Sequence, residues 1–288
     1  MSFKSGFVSI VGNPNVGKST LFNKLLSEDL SIVTNKPQTS RNKILGVIND
    51  ENYQIIFIDT PGYVNPSYKL HEYMNSKVFS SFDGSDLVIY LSDIYEKKIN
   101  SKILDFISKK NIPLYCIINK ADLIKNDKKN YKEVFESYDY KRFDIISCKS
   151  EKDIVNVKKN IIQFLPNHKP YYPRDYFTSS SKREISSEII RKNIFLNYKQ
   201  EIPFSSFVQV YSFKKSKEII KIFAYIFVES ESQKKIIIGK KGSSIKNLGI
   251  LSREQLEGFF NIKVFLDLTV KVKRWRSSIE FLKNNLIS

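Results

Sequence analysis

Four short segments carry residue types at spacings that suit one chemistry, the capture of a nucleotide polyphosphate. Gly12-Asn13-Pro14-Asn15-Val16-Gly17-Lys18-Ser19-Thr20 has the P-loop spacing G-x-x-x-x-G-K-[S/T]. Glycines there let the backbone fold around phosphate with successive N–H groups pointing inward. A helix beginning near Lys18 adds its positive dipole end. Lys18 places a cation on the β- and γ-phosphates, and the Ser19 hydroxyl ligates Mg²⁺. Asn119-Lys120-Ala121-Asp122 then selects the base. The Asp122 carboxylate can accept from guanine N1–H and the exocyclic amine together, and adenine has no such donor pair. Lys120 can lay its stem over the base, and Asn119 can tie this loop to the P-loop. Asp59-Thr60-Pro61-Gly62 supplies a carboxylate to hold Mg²⁺ through water and the Gly62 N–H for the γ-phosphate. Ser147-Cys148-Lys149 offers backbone N–H groups to guanine O6. Nucleotide contacts are therefore expected from Asn13, Asn15, Val16, Gly17, Lys18, Ser19, Thr20, Asn119, Lys120, Asp122, Ser147, Cys148 and Lys149, with Lys18, Asp59 and Gly62 acting on the reacting phosphate.

Each segment needs a strand or helix to aim it. Apolar runs at Phe7–Val11, Lys43–Ile48, Tyr53–Asp59, Asp86–Leu91, Leu114–Asn119 and Phe143–Ser147 predict strands. Helical spacing lies between them, at Ser19–Leu26, Lys102–Lys110 and Ile154–Phe164. Such alternation predicts a doubly wound α/β domain with a mixed sheet and helices on both faces. Every motif falls at the C-terminal end of a strand, where open α/β sheets bind ligands.

Around Pro166 the alternation stops. Three prolines within L-P-N-H-K-P-Y-Y-P predict a stiff linker, and the reading divides the chain into a domain at 1–168, a linker at 169–178 and a second domain at 179–288. The second domain reads α-β-β-α-α-β: a helix at Glu184–Tyr198, strands at Phe207–Phe213 and Ile219–Val228, helices before and after Gly239, a strand at Ile262–Val272 and a closing helix at Ile279–Leu286. Between its two middle helices stands Ile238-Gly239-Lys240-Lys241-Gly242, followed by Ile245 and Lys246, the G-x-x-G pattern of a KH domain. Its glycines let backbone approach phosphates, Lys240, Lys241 and Lys246 neutralise them, and Ile238 and Ile245 line the groove. Such a loop clamps about four nucleotides of single-stranded RNA.

Charge agrees with that division. The chain of 288 residues carries a formal charge of +17, almost all from lysine. Residues 171–288 hold 22 Lys+Arg against 11 Asp+Glu, whereas residues 1–170 hold 25 against 19. An anionic partner is thus expected on the C-terminal part. Mean hydropathy is −0.30, and no apolar run approaches the roughly 18 residues of a membrane span. Cys116, Cys148, His71 and His168 form no metal-ligand spacing; the cysteines fit a reducing compartment, and both histidines read as exposed and without a role. The lysine-rich stretch Lys125–Lys132 reads as a solvated helix face, and most phenylalanines read as core.

The ordered set of P-loop, D-T-P-G, N-K-A-D and S-C-K resembles translation-factor-like GTPases, and Pro37-Gln38-Thr39-Ser40-Arg41 resembles the first switch of the Era GTPases, which typically read P-Q-T-T-R there. Glu188–Arg191, Glu201–Phe204 and Val270–Trp275 resemble Era segments of the second domain. The resemblance implies a GTPase domain followed by a type II KH domain. It implies GTP or GDP and Mg²⁺ as cofactors, with Ser40 as the second hydroxyl ligand of Mg²⁺ and Thr39 as the adjacent alternative. Asn15 has two open readings, a K⁺ ligand or a brace for the loop. Tyr63 stands where many small GTPases carry the water-positioning glutamine, so slow intrinsic turnover is expected. The implied partners are the 3′ end of 16S ribosomal RNA and the 30S subunit, with no DNA and a monomeric chain. The implied location is the cytoplasm, in part at the inner face of the cell membrane. Two other readings stay open: an RNA-binding protein whose nucleotide site has lost its catalytic use, and a membrane-associated GTPase with its basic face on anionic lipid.

Overall fold

The computed structural model describes residues 2–27, 44–63, 66–67, 69–96, 99–124, 130–178, 180–278 and 281. The chain divides into two compact units, Met1–Asn65 with His71–Ser179, and Ser180–Ser288 with Pro66–Leu70. Among the described residues, no helix is long and apolar enough to cross a membrane.

The first unit is built on six strands in the order β2-β3-β1-β4-β5-β6. They are β1 (Lys4–Val11), β2 (Ile44–Asn49), β3 (Tyr53–Asp59), β4 (Leu87–Asp93), β5 (Leu114–Asn119) and β6 (Arg142–Ile145). All neighbours run parallel except β2 and β3, an antiparallel hairpin. The continuous apolar runs of β4 and β5 are buried along their whole length, as strands covered on both faces must be. Helices α1 (Lys18–Leu26), α2 (Lys69–Ser80) and α3 (Ser101–Lys109) join strands, and α4 (Glu151–Phe164) follows β6. Side chains of Asn100 and Ser150 cap α3 and α4, accepting from Ile103 and Asp153 N–H. The sheet therefore presents the ends of β1, β3, β4 and β5 as one row of loops.

One reading changes here. His71 is buried, not exposed. It shares the inward face of α2 with Met74 and Val78, so helical periodicity carries the ring inside. Of the stretch Lys125–Lys132, read as a solvated helix face, only 130–132 are among the described residues; they form a turn with Lys132 exposed and Tyr131 buried.

The proline-rich segment lies along β1, β2 and β3. Ser5 N–H donates to Pro166 carbonyl (3.1 Å), and Val47 N–H to Phe177 carbonyl (2.8 Å). The buried Gln54 amide anchors it most firmly. Its Oε1 accepts from Tyr171 and Tyr172 N–H at 2.7 and 3.0 Å. Its Nε2 donates to Tyr172 carbonyl and Asn49 Oδ1 at 2.8 and 2.6 Å.

The second unit packs α5 (Lys182–Asn197), α7 (Glu231–Ile238) and α8 (Ser243–Phe260) on a three-stranded sheet in the order β7-β8-β9. The strands β7 (Phe207–Lys215) and β8 (Ile219–Val228) are antiparallel; β9 (Lys263–Val272) joins β8 in parallel. A short α6 (Ile202–Ser205) stands between α5 and β7. Helix α5 starts on a capping box of Ser181 and Glu184. One sheet face is the core, with Val210, Ile222, Ile226 and Val264 closing on Ile190, Ile194 and Leu248. Trp275 is fully buried, and its indole N–H donates to Ser205 carbonyl at 2.9 Å. Of the expected closing helix only Phe281 lies among the described residues.

Gln54→Leu would leave two backbone N–H groups at Tyr171 and Tyr172 without acceptors, at about 1–3 kcal/mol for each orphaned group. We expect a lower thermal midpoint and new protease cleavage within 169–178. An unchanged midpoint and digestion pattern would contradict this anchoring role.

Candidate functional site

The P-loop leaves β1 at Gly12, whose φ is +147°; a β-carbon there would lie 2.0 Å from the Leu91 carbonyl oxygen. Gly17 repeats the constraint with φ +104°, and its β-carbon would lie 2.3 Å from Asn119 Nδ2. Both positions demand glycine, for conformation and for space. Asn15, at the exposed tip, is left-handed at φ 67°. Val16 is buried, and Thr20 sits in the first turn of α1.

Lys18 is buried, and its Nζ donates to the Asn13 carbonyl at 2.8 Å. Burial lowers its pKa to about 8, against the opposing pull of Asp59 and Glu96. Ser19 Oγ donates to Asp59 Oδ2 at 3.0 Å, and Asp59 is itself fully buried at the end of β3. The adjoining Thr60 hydroxyl donates to the Ile10 carbonyl (2.8 Å), tying the β3 loop to β1. Gly62 comes against Pro14, where a β-carbon would meet the proline at 3.0 Å. Tyr63 turns instead to α2, edge-on to Phe79 with ring centroids 6.1 Å apart. Ser40 and Thr39 lie outside the described residues.

Asn119 joins the loops. Its Nδ2 donates to the Val16 carbonyl at 2.8 Å, and its Oδ1 accepts from Cys148 N–H at 3.0 Å. Lys120 is left-handed at φ 68°; its ammonium pairs with Asp93 and lies 5.8 Å over the Tyr95 ring. Asp122 accepts from Lys149 Nζ and Ser147 Oγ, each at 2.7 Å. Those bonds, Lys149 first, hold its carboxyl below the usual range, so it stays an acceptor. The three N–H groups assigned to guanine O6 have protein acceptors in this structure: Ser147 donates to Asp153, Cys148 to Asn119 and Lys149 to the Ser147 hydroxyl.

One participant escaped the sequence reading. Glu96, just past β4, accepts from Asn13 Nδ2 at 2.7 Å and from the Ser92 hydroxyl. Burial raises its pKa. It thus grips the P-loop from the neighbouring strand end. The signal was there in two carboxylates, Asp93 and Glu96, at the same end of the sheet as the motifs.

In the second unit, Gly239 has φ 73° and ψ 176°, a region essentially restricted to glycine. A β-carbon there would lie 2.1 Å from Ser244 Oγ. Gly242 N–H donates to the Gly239 carbonyl at 3.2 Å, closing a single turn that puts Lys240 and Lys241 in solvent. Ile238 and Ile245 flank it, partly buried against the core, and Lys246 is exposed on α8.

Comparison with known proteins finds a family match in each unit. The family model described as 50S ribosome-binding GTPase matches residues 7–120, and the KH domain model matches residues 201–276. GTPase Era of Clostridium kluyveri is 40% identical over 97% of this chain and 98% of its own. GTPase Era of Caldanaerobacter subterraneus subsp. tengcongensis is 39% identical over 98% of this chain and 97% of its own. A crystal structure of Era with MgGDPNP and nucleotides 1506–1542 of 16S ribosomal RNA superposes with a TM-score of 0.91, at 34% identity and 98% coverage of both chains. An Aquifex aeolicus Era variant bound to GDP·AlF4⁻ gives the same TM-score at 33% identity. With both family models matched in order and relatives alike over nearly the full length, the chain belongs to the Era family of GTPases.

Proposed function

We propose that this protein binds GTP with Mg²⁺, hydrolyses it to GDP and phosphate, and uses its second unit to bind the 3′ end of 16S ribosomal RNA during assembly of the 30S subunit. The observation that carries the nucleotide half is the Asn119 amide, which holds the P-loop and the Ser147–Lys149 loop around one space. The RNA half rests on the glycine turn at Gly239–Gly242 and on full-length likeness to the Era solved with 16S nucleotides. Residues 1–168 would form the nucleotide domain and 179–288 the RNA domain, connected by 169–178. The chain would act as a monomer in the cytoplasm.

Ser19 and Asp59 are a hydroxyl and a carboxylate 3.0 Å apart, hard oxygen donors of the kind Mg²⁺ prefers. These two would hold the ion, directly and through water respectively, with Ser40 or Thr39 adding a hydroxyl. When bound, Mg²⁺ draws charge from the phosphate oxygens. The remaining work falls to the chain. Gly12 and Gly17 admit the phosphates to the P-loop backbone. Lys18 leaves the Asn13 carbonyl for the phosphate and keeps its proton there. Asp122, already ionised, exchanges Lys149 and Ser147 for the guanine donors. Tyr63, packed on Phe79, supplies no general base, so intrinsic turnover is slow. Asn15 keeps its two readings, brace or K⁺ ligand.

Lys18 makes binding pH-dependent. In the free protein burial puts its pKa at about 8, and phosphate charge raises it in the complex. Nucleotide affinity is therefore full below pH of about 8 and falls above it, by up to about tenfold per pH unit. Calorimetry in two buffers of different ionisation heat should show proton uptake above that pH, absent in Lys18→Gln. Binding without proton uptake would contradict the assignment.

The function itself is tested by GTP turnover and by binding of a 16S 3′-end oligonucleotide, with GDPNP or GDP bound. We expect slow turnover of GTP and none of ATP, and RNA binding that depends on the nucleotide. Gly242→Asp should lose RNA binding and keep turnover: Asp is among the few L residues that enter the left-handed region found at its φ of 78°, and no atom lies within 4 Å of a β-carbon there, so the strain stays local. RNA binding that ignores both the nucleotide and the Gly242 change would overturn the proposal.

A further inference from the structure

The outward face of the β7-β8-β9 sheet carries an aromatic patch that neither the nucleotide site nor the glycine turn uses. Strand side chains alternate, so the inward valines and isoleucines leave the intervening positions pointing out. A bulge between Val210 and Ser212 adds Tyr211 to that outer set. Tyr211 stacks on Tyr225 with centroids 4.2 Å apart and planes at 17°. Phe223 links the run onward, 6.2 Å from Tyr211 and 5.8 Å from Phe265. At the two ends, Tyr211 is 41% exposed and Phe265 47%. A contiguous run of rings reaching solvent, rimmed by polar groups, is the form an interaction surface takes.

Charge says what would cover it. Lys271 Nζ sits 3.4 Å from the Tyr225 centroid, and Lys221 pairs across the strands with Phe265. Lys214 stands opposite Lys221, and Asp267 is the one carboxylate at the outward strand positions. Flat rings between ammonium groups match flat bases between phosphates. An apolar protein surface would have to bury those lysines without partners.

We propose that this face is a second RNA contact, a stacking platform for single-stranded RNA separate from the glycine turn. One base lies on Tyr211 and another on Phe265, while Lys221 and Lys271, at the two ends of the ring run, meet the flanking phosphates. It rests on the reading that this unit binds RNA, and deepens it. Stacking of this kind tolerates any base, so the platform adds affinity and length of contact more than sequence selectivity.

The test measures binding of oligoadenylate to the full chain by fluorescence anisotropy. Variants are Tyr211→Ser with Phe265→Ser, Tyr211→Phe, Lys271→Gln, and the double serine variant combined with Gly242→Asp. Each lost stack should weaken binding about tenfold, with or without an intact glycine turn. Tyr211→Phe keeps the ring and should bind like wild type. Lys271→Gln, which leaves the Tyr211 and Phe265 rings in place, should reduce the salt slope by about one, so the answer does not hang on the serine variants folding. If the serine and Lys271 variants bind like wild type and only Gly242→Asp loses affinity, the platform is overturned and the turn stands. If the serine variant weakens binding and Gly242→Asp does not, the platform stands and the turn reading fails. Unchanged RNA affinity with a loss of self-association in sedimentation would make the face a protein interface, and also overturn the proposal.

Discussion

The nucleotide site depends on one buried amide. Asn119 ends β5, and from there its side chain reaches the P-loop carbonyl of Val16 and the backbone N–H of Cys148. Neither loop is held by regular secondary structure at those atoms, so the amide decides their spacing. Both bonds are buried, where an orphaned partner costs about 1–3 kcal/mol. The constraint propagates into the sequence. Gly17 must lack a side chain because a β-carbon would collide with Asn119, and Gly17 in turn starts the helix that carries Lys18 and Ser19. From the other side, Glu96 holds Asn13, whose carbonyl parks the Lys18 amine. The loop is thus gripped by the ends of two neighbouring strands before any phosphate arrives. Such preorganisation lowers the ordering cost of binding.

The second unit solves a different problem with one sheet. Its inward face closes a core with three helices, and the Tyr198 hydroxyl donates to the Ile237 carbonyl at 2.9 Å, steadying the end of α7 just before the glycine turn. Gly239 then takes a backbone conformation open only to glycine, and the chain reverses into α8. Among the described residues of this unit, no such helix covers the middle rows of the outward face. At its other end Phe207 and Phe227 are covered by Trp275 and Phe281. The exposed rings near Tyr211 and Phe265 therefore stand where covering by the chain's own described residues stops.

Much of this was legible in the sequence because local physics fixes it. Apolar runs located strands such as β3, β5 and β8 at their observed bounds. Glycine and charge spacing located both loops. What stayed hidden depends on packing between distant segments. His71 was read as exposed from its residue type, without placing it on the helix α2 that carries it inside. Glu96 belongs to no motif; only the fold brings it to Asn13, 83 residues away. The proline-rich stretch looked like a spacer, yet its backbone finds partners on β3 through Gln54, which no periodicity singles out. Most phenylalanines were read as core, and the half-exposed Phe265 is an exception that only the facing of β9 reveals.

The central claim, that the Asn119 clasp builds the nucleotide site, is tested most directly by nucleotide affinity in Asn119→Ala, measured beside its thermal midpoint. Because the amide touches no γ-phosphate position, the account predicts that GTP and GDP weaken together, by about 100-fold for two lost buried bonds, while the protein stays folded. Affinities within about twofold of wild type in a folded variant, or a loss confined to GTP, would contradict it.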